Sequence, residues 1–84
     1  MGTSKRFVYI IRSGADHSRY YTGLTSDVPA RLAAHNAGRC HHTAKAVPWA
    51  PVVVIEFSDE SRAVAFEKYL KSGSGAAFSK RHLR

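Results

Sequence analysis

Phe7-Val8-Tyr9-Ile10-Ile11-Arg12, a polar loop, Arg19-Tyr20-Tyr21-Thr22-Gly23-Leu24-Thr25, and then Asp27-Val28-Pro29-Ala30-Arg31-Leu32-Ala33-Ala34-His35-Asn36 form the stretch that decides the fold. Residues 6–12 are rich in aromatic and branched side chains, which suit a pleated strand. Alternation sends Phe7, Tyr9 and Ile11 to one face and Val8 and Ile10 to the other. Apolar residues on both faces point to a central strand covered on both sides. Ser13 to Ser18 supplies turn formers, and a second strand from Arg19 to Thr25 returns antiparallel. A hairpin centred near Ala15 sets Tyr9 opposite Tyr21 and Phe7 opposite Gly23. A slip of one residue would put the tyrosines on opposite faces.

Working outward, Asp27 is a good helix N-cap, Pro29 is tolerated in the first turn, and Gly38 is a natural stop. At about 100° per residue, Val28, Leu32 and His35 share one seam, and Arg31 borders it about 40° from His35. Arg39 to Pro51 has no clear period and reads as a loop. Val52 to Phe57 is the clearest strand and is expected in or beside the sheet centre. Ser58 or Asp59 caps a second helix running to about Ser72, with Ala63, Phe66 and Leu70 as its apolar stripe. Glu67 falls about 40° from Ala63, within reach of that stripe. A carboxylate there is unusual, because unpaired buried charge is costly. Gly73-Ser74-Gly75 is expected to break this helix, with Ala76 to Leu83 forming a short basic tail helix. The fold class is therefore α/β of the α+β kind. A small three-stranded, mainly antiparallel sheet is flanked by helices in the order β-β-α-β-α-α, as one domain over residues 1–84.

The chain has 84 residues, with 13 Lys and Arg against 6 Asp and Glu, a formal net charge of +7. That balance suits a polyanionic partner, because neutralising phosphates releases counterions. The bland alternative is that the charge keeps a small protein in solution. One cysteine rules out an internal disulfide and fits a reducing compartment. The apolar run after Met1-Gly2-Thr3-Ser4-Lys5-Arg6 is too short for a secretory leader, and nothing approaches a membrane span. Gly2 lacks the supporting signals of an acyl anchor. A cytoplasmic location is expected.

Val8-Tyr9-Ile10, Tyr21-Thr22-Gly23, Arg31, His35-Asn36 and Phe66-Glu67 together resemble a GIY-YIG nuclease domain, in particular its small stand-alone bacterial branch. The likeness runs from Arg6 to Leu70 with the motifs in the family's order and spacing. The first motif lacks its glycine, and Thr22 stands where the second has isoleucine. The resemblance implies a metal-dependent endonuclease, with Tyr9, Tyr21, Arg31 and His35 catalytic and Glu67 holding Mg²⁺ or Mn²⁺. It implies nucleic acid as partner, DNA ahead of RNA, with a protein partner supplying specificity as a further reading.

The residue chemistry is compatible with those roles, and each residue also has a plainer reading. Arg31 can grip phosphate through its planar fork of donors, or be a solvated helix-face arginine. Tyr9 and Tyr21 can align or deprotonate water, although a phenol of pKa about 10 needs help to act as a base; otherwise they are strand aromatics. His35 can relay a proton, or be a helix-edge histidine. Glu67 can anchor Mg²⁺, which takes few carboxylates, or pair with Arg or Lys at the core edge. Cys40-His41-His42 has poor spacing for zinc. Thr43, Lys45, Lys80, Arg81 and Arg84 are expected to touch a nucleic-acid backbone, or to be ordinary basic surface. The alternative function is a basic nucleic-acid-binding module that cleaves weakly or not at all.

Overall fold

The two-sided apolar pattern of residues 7–11 makes β1 (Arg6–Ser13) the middle of a three-stranded antiparallel sheet. It lies between β2 (Tyr20–Thr25) and β3 (Trp49–Phe57). Helices α1 (Val28–Asn36), α2 (Glu60–Leu70) and α3 (Gly73–His82) complete the predicted order β-β-α-β-α-α. The computed structural model describes residues 6–84; the readings made on Met1 to Lys5 lie outside them. Val8, Tyr9, Ile10 and Ile11 are each at most 2% exposed. Each fully buried aliphatic side chain is worth about 1.5–3 kcal/mol, so β1 alone supplies much of the core.

The two faces of β1 carry two cores. Val8 and Ile10 pack with Ala63 and Leu70 of α2, joined by Phe66 and by Phe78 of α3. Tyr9 and Ile11 pack with Ala46 and Trp49, joined by Tyr21 and by Leu32 of α1. Thus α2 and α3 cover one face, while α1 and the loop before β3 cover the other. Among the described residues no helix is long and apolar enough to cross a membrane.

The hairpin register differs from expectation by two residues. Tyr9 faces Gly23, Ile11 faces Tyr21 and Phe7 faces Thr25. The cause lies in the loop: the Ser13 N–H donates to the Arg19 carbonyl, and the Ser13 hydroxyl oxygen accepts from the N–H groups of Ala15 and Asp16. These bonds carry β1 through Ser13 and move the hairpin centre to Asp16. A two-residue shift preserves parity, so Tyr9 and Tyr21 remain on one face.

Helix α1 begins and ends as predicted. The Asp27 carboxylate accepts from the Ala30 N–H at 3.0 Å, and Gly38 follows at φ 76°. β3 starts earlier than expected, at Trp49, and includes Pro51. The Asn36 side chain makes this possible: its Oδ1 accepts from the Trp49 N–H and its Nδ2 donates to the Trp49 carbonyl. β3 lies beside the sheet centre as an edge, where a proline is tolerated. An irregularity between Ile10 and Ile11 leaves Val52 outside the register.

The glycines after α2 also correct the sequence reading. α2 ends at Leu70, and α3 starts at Gly73 with Ser72 as N-cap, its hydroxyl accepting from the Gly75 N–H at 3.1 Å. Gly73 and Gly75 therefore lie inside the first turn of α3. A Cβ on Gly75 would overlap the Tyr69 carbonyl, whereas one on Gly73 would meet nothing within 4 Å. Gly75→Ala is expected to lower stability by about 2 kcal/mol or more, as for overpacking against rigid backbone. For a domain of this size that is a loss of roughly 10 °C in melting temperature. Gly73→Ala should leave it unchanged or slightly raised, and thermal melting of both variants checks the pair.

Candidate active site

A phenol, an imidazole and a guanidinium meet because the sheet and α1 each set their residues on one face. The Tyr9 ring lies across Gly23, and any Cβ at residue 23 would fall inside the phenol. The strand glycine therefore makes room for Tyr9. The Tyr9 hydroxyl is 2.8 Å from Nε2 of His35, which is fully buried. His35 Nδ1 is 2.8 Å from the Thr43 hydroxyl, which in turn donates to the Cys40 carbonyl at 3.4 Å. The Trp49 indole N–H holds the Thr43 carbonyl at 2.8 Å, so β3 braces the far end of the chain. Tyr21 closes the cluster, its ring 4.9 Å from His35 and 6.3 Å from Tyr9 between centroids.

Arg31, one helical turn before His35 and exposed, lies beside the Tyr9 hydroxyl, close enough for its charge to favour the phenolate. Burial pushes the Tyr9 phenol above its ordinary pKa, and the Arg31 contact offsets this only in part. Burial, followed by the Arg31 charge, pushes His35 below its ordinary value. Tyr9 thus keeps its proton at neutral pH and His35 is uncharged. The direction of the bonds follows. Thr43 gives its hydrogen to a carbonyl that can only accept, so it accepts from His35 Nδ1–H. Nε2 is left bare to accept from Tyr9 O–H. One hydrogen-bonded line runs from the Tyr9 phenol to the Cys40 carbonyl, with the Arg31 guanidinium beside its outer end.

Glu67 comes from the opposite layer. It projects from α2 with its side chain 16% exposed, and its Oε2 is 2.7 Å from Lys71 Nζ. Lys71 Nζ in turn stands 5.6 Å from the centre of the Tyr21 ring. α2 therefore carries its carboxylate round the edge strand β2 to the rim of the cluster. The pairing with lysine is the plainer reading of Glu67 made from the sequence. Its donor set also fits a hard divalent cation. A single carboxylate whose partner is a half-exposed, flexible lysine suits Mg²⁺ or Mn²⁺, which draws most ligands from water and phosphate. Among the described residues no group of three or more His, Cys, Asp or Glu could enclose a metal, the arrangement zinc requires.

The other candidates divide. Thr43, expected at a phosphate backbone, is 1% exposed and its hydroxyl is committed to His35 and Cys40; burial makes it a support for the imidazole. Lys45 is exposed in the 3-10 turn at Ala44–Ala46, close after Thr43. Lys80 and Arg81 are exposed on α3, in the layer across the sheet. The guanidinium of Arg84 stacks on Tyr20 at 4.5 Å. Sequence reasoning missed Gly23, Asn36 and Lys71 as working parts. A glycine inside a strand and a lysine four residues after a helical glutamate were the available signals.

The fold and the cluster define a small α+β domain with a Tyr–His–Arg centre between α1 and one face of the sheet. A family model described as the GIY-YIG catalytic domain matches residues 5–81. The UPF0213 protein of Staphylococcus haemolyticus is 39% identical over 72 residues, which cover 84% of this chain and 85% of the relative. The UPF0213 protein of Lacticaseibacillus paracasei is 36% identical over 72 residues, covering 84% and 79% respectively. The chain belongs to the GIY-YIG family, and these two relatives place it beside the family's small UPF0213 members. GIY-YIG nucleases act on nucleic acid and generally use divalent metals.

The buried neutral imidazole predicts a pH response. The folded pKa of His35 lies below the unfolded value of about 6.5, so the unfolded chain binds the proton more tightly. This contribution to stability is complete above about pH 6.5 and is lost as pH falls toward the folded value. Asp16 and Asp59, held below the ordinary 3.8 mainly by the Ser18 and Ser61 hydroxyls, act only in a lower window. Melting temperature should fall between pH 7 and 5 in the wild type, with a shallower fall in His35→Gln.

Proposed function

We propose that this protein is a divalent-metal-dependent endonuclease that hydrolyses phosphodiester bonds in DNA. The observation that carries the reading is the Tyr9 hydroxyl held between Arg31 and His35 Nε2 at 2.8 Å. Tyr9 orients the attacking water. As the new P–O bond forms, the water gives a proton to the phenol oxygen while the phenol passes its own to Nε2. His35 makes this route possible because Tyr9 alone, with its raised pKa, is a poor base. The His35 Nδ1–H bond to Thr43 stabilises the imidazolium that results. Arg31 faces the charge that builds on the phosphorane, where a fixed donor stabilises the transition state most. Tyr21 packs Tyr9 and His35 in place. A cation held by Glu67 would neutralise phosphate charge and assist the departing oxygen. Lys45, Lys80 and Arg81, all exposed, would add backbone contacts.

A second reading, a basic binding module without cleavage, is favoured by one feature, the 2.7 Å Lys71–Glu67 pair. In that reading Glu67 needs no metal. Two variants separate the readings. Arg31→Ala should lower cleavage of plasmid DNA in Mg²⁺ or Mn²⁺ by about 10²-fold or more while binding is largely kept. Equal losses of both would make Arg31 a docking residue.

Glu67→Gln should abolish cleavage and remove the rise in melting temperature that millimolar metal and an uncleavable oligonucleotide give the wild type. Full cleavage and an identical metal response in the variant would sink the metal assignment. A small loss of stability alone, at most about 1 kcal/mol for a pair whose lysine is half-exposed, belongs to the second reading.

A further inference from the structure

Beside the cluster a cleft of about 500 Å³ opens between β2 and the loop before β3. Trp49 lies in its wall, Tyr20 and Tyr21 border it, and Arg19, His42 and Lys71 stand at its edge. We propose that this cleft receives the base of an unpaired nucleotide next to the phosphate held at Tyr9 and Arg31. The proposal rests on the nuclease reading above and names the class of substrate, a DNA strand with a nucleotide outside the helical stack.

Three observations support it. The polar atoms of the inner wall are already engaged: the Trp49 N–H with the Thr43 carbonyl and the Thr43 hydroxyl with His35 and Cys40. What remains for a ligand to stack on is the half-buried rings of Tyr20 and Tyr21 at the border, which suit any base irrespective of sequence. The edge, by contrast, is cationic and exposed at Arg19 and Lys71, with exposed His42 beside them, which suits the flanking phosphates. Finally, the site is concave. A base paired within a duplex cannot enter a recess, whereas one that has left the stack can. Tyr21 is shared by cleft and cluster, so base and phosphate would lie on the two sides of one ring. Both tyrosines now carry cations, Lys71 over Tyr21 and Arg84 over Tyr20, and these are the charges a bound strand would draw onto its own phosphates.

The test measures binding without metal, by fluorescence anisotropy, to a single-stranded oligonucleotide, a blunt duplex and the same duplex with a one-nucleotide bulge. The wild type should bind the single strand and the bulge about tenfold more tightly than the blunt duplex, the scale of one stacked base. Arg19→Ala combined with His42→Ala, both exposed positions, should erase that preference, because at the cleft edge these groups reach only the phosphates flanking a nucleotide whose base is in the cleft. Lys80→Ala, which removes a charge from the layer across the sheet, should weaken all three probes together and keep the preference. Equal affinity of the wild type for paired and unpaired probes would overturn the proposal. So would a uniform loss on all three probes in the Arg19/His42 variant. Because no turnover is involved, a preference that persists in a protein unable to cut any DNA would sink the nuclease reading and leave the cleft. Cleavage without preference would do the reverse.

Discussion

The 2.8 Å hydrogen bond between the Tyr9 hydroxyl and His35 Nε2 is the constraint to which most of this small structure answers. A buried imidazole must satisfy both ring nitrogens, since a buried polar group left unmade costs about 1–3 kcal/mol. Tyr9 on β1 satisfies one nitrogen and Thr43 the other. Thr43 is in turn held by Trp49 at the start of β3, and Trp49 by the amide of Asn36 beside His35. The loop before β3 is thereby closed onto α1 by three successive contacts, His35 to Thr43, Thr43 to Trp49 and Trp49 to Asn36. Gly23 belongs to the same requirement, because a side chain there would displace the phenol from the imidazole.

The second organising feature is that the two helical layers are unequal in role. α1 carries the imidazole and the guanidinium on one face of the sheet. α2, packed on Val8 and Ile10 of the other face, contributes through Glu67 and Lys71 at the edge strand β2. A sheet of three strands is narrow enough for residues from both layers to meet round one edge. The cleft lies beside Tyr21, and Gly75 lets the start of α3 approach the end of α2.

Much of this was legible in the residues, and the parts that were not have physical causes. Alternation along residues 7–11 identified β1 as the central strand, and the period of two kept Tyr9 and Tyr21 on one face even though the register was displaced by two. That displacement came from the Ser13 hydroxyl, whose loop bonds no periodicity records. The start of β3 was hidden because Pro48 and Pro51 read as loop, while the Asn36 amide that orders Trp49 is distant in sequence. Gly73 and Gly75 carry a breaker signature, but Gly75 answers to a tertiary approach of backbone. The motif residues Tyr9, Tyr21, Arg31 and His35 do come together; Thr43 was read as surface because a threonine in a polar loop gives no sign of being buried.

The account stands on the tautomer that this network imposes, in which His35 carries its hydrogen on Nδ1 and presents a bare Nε2 to Tyr9. Two-dimensional ¹⁵N–¹H correlation of the histidine rings across a pH titration measures this directly. The account predicts a neutral His35 with protonated Nδ1 at pH 7, gaining a second proton only below the ordinary histidine range. A ring protonated on Nε2 at neutral pH, or an imidazolium there, would contradict it.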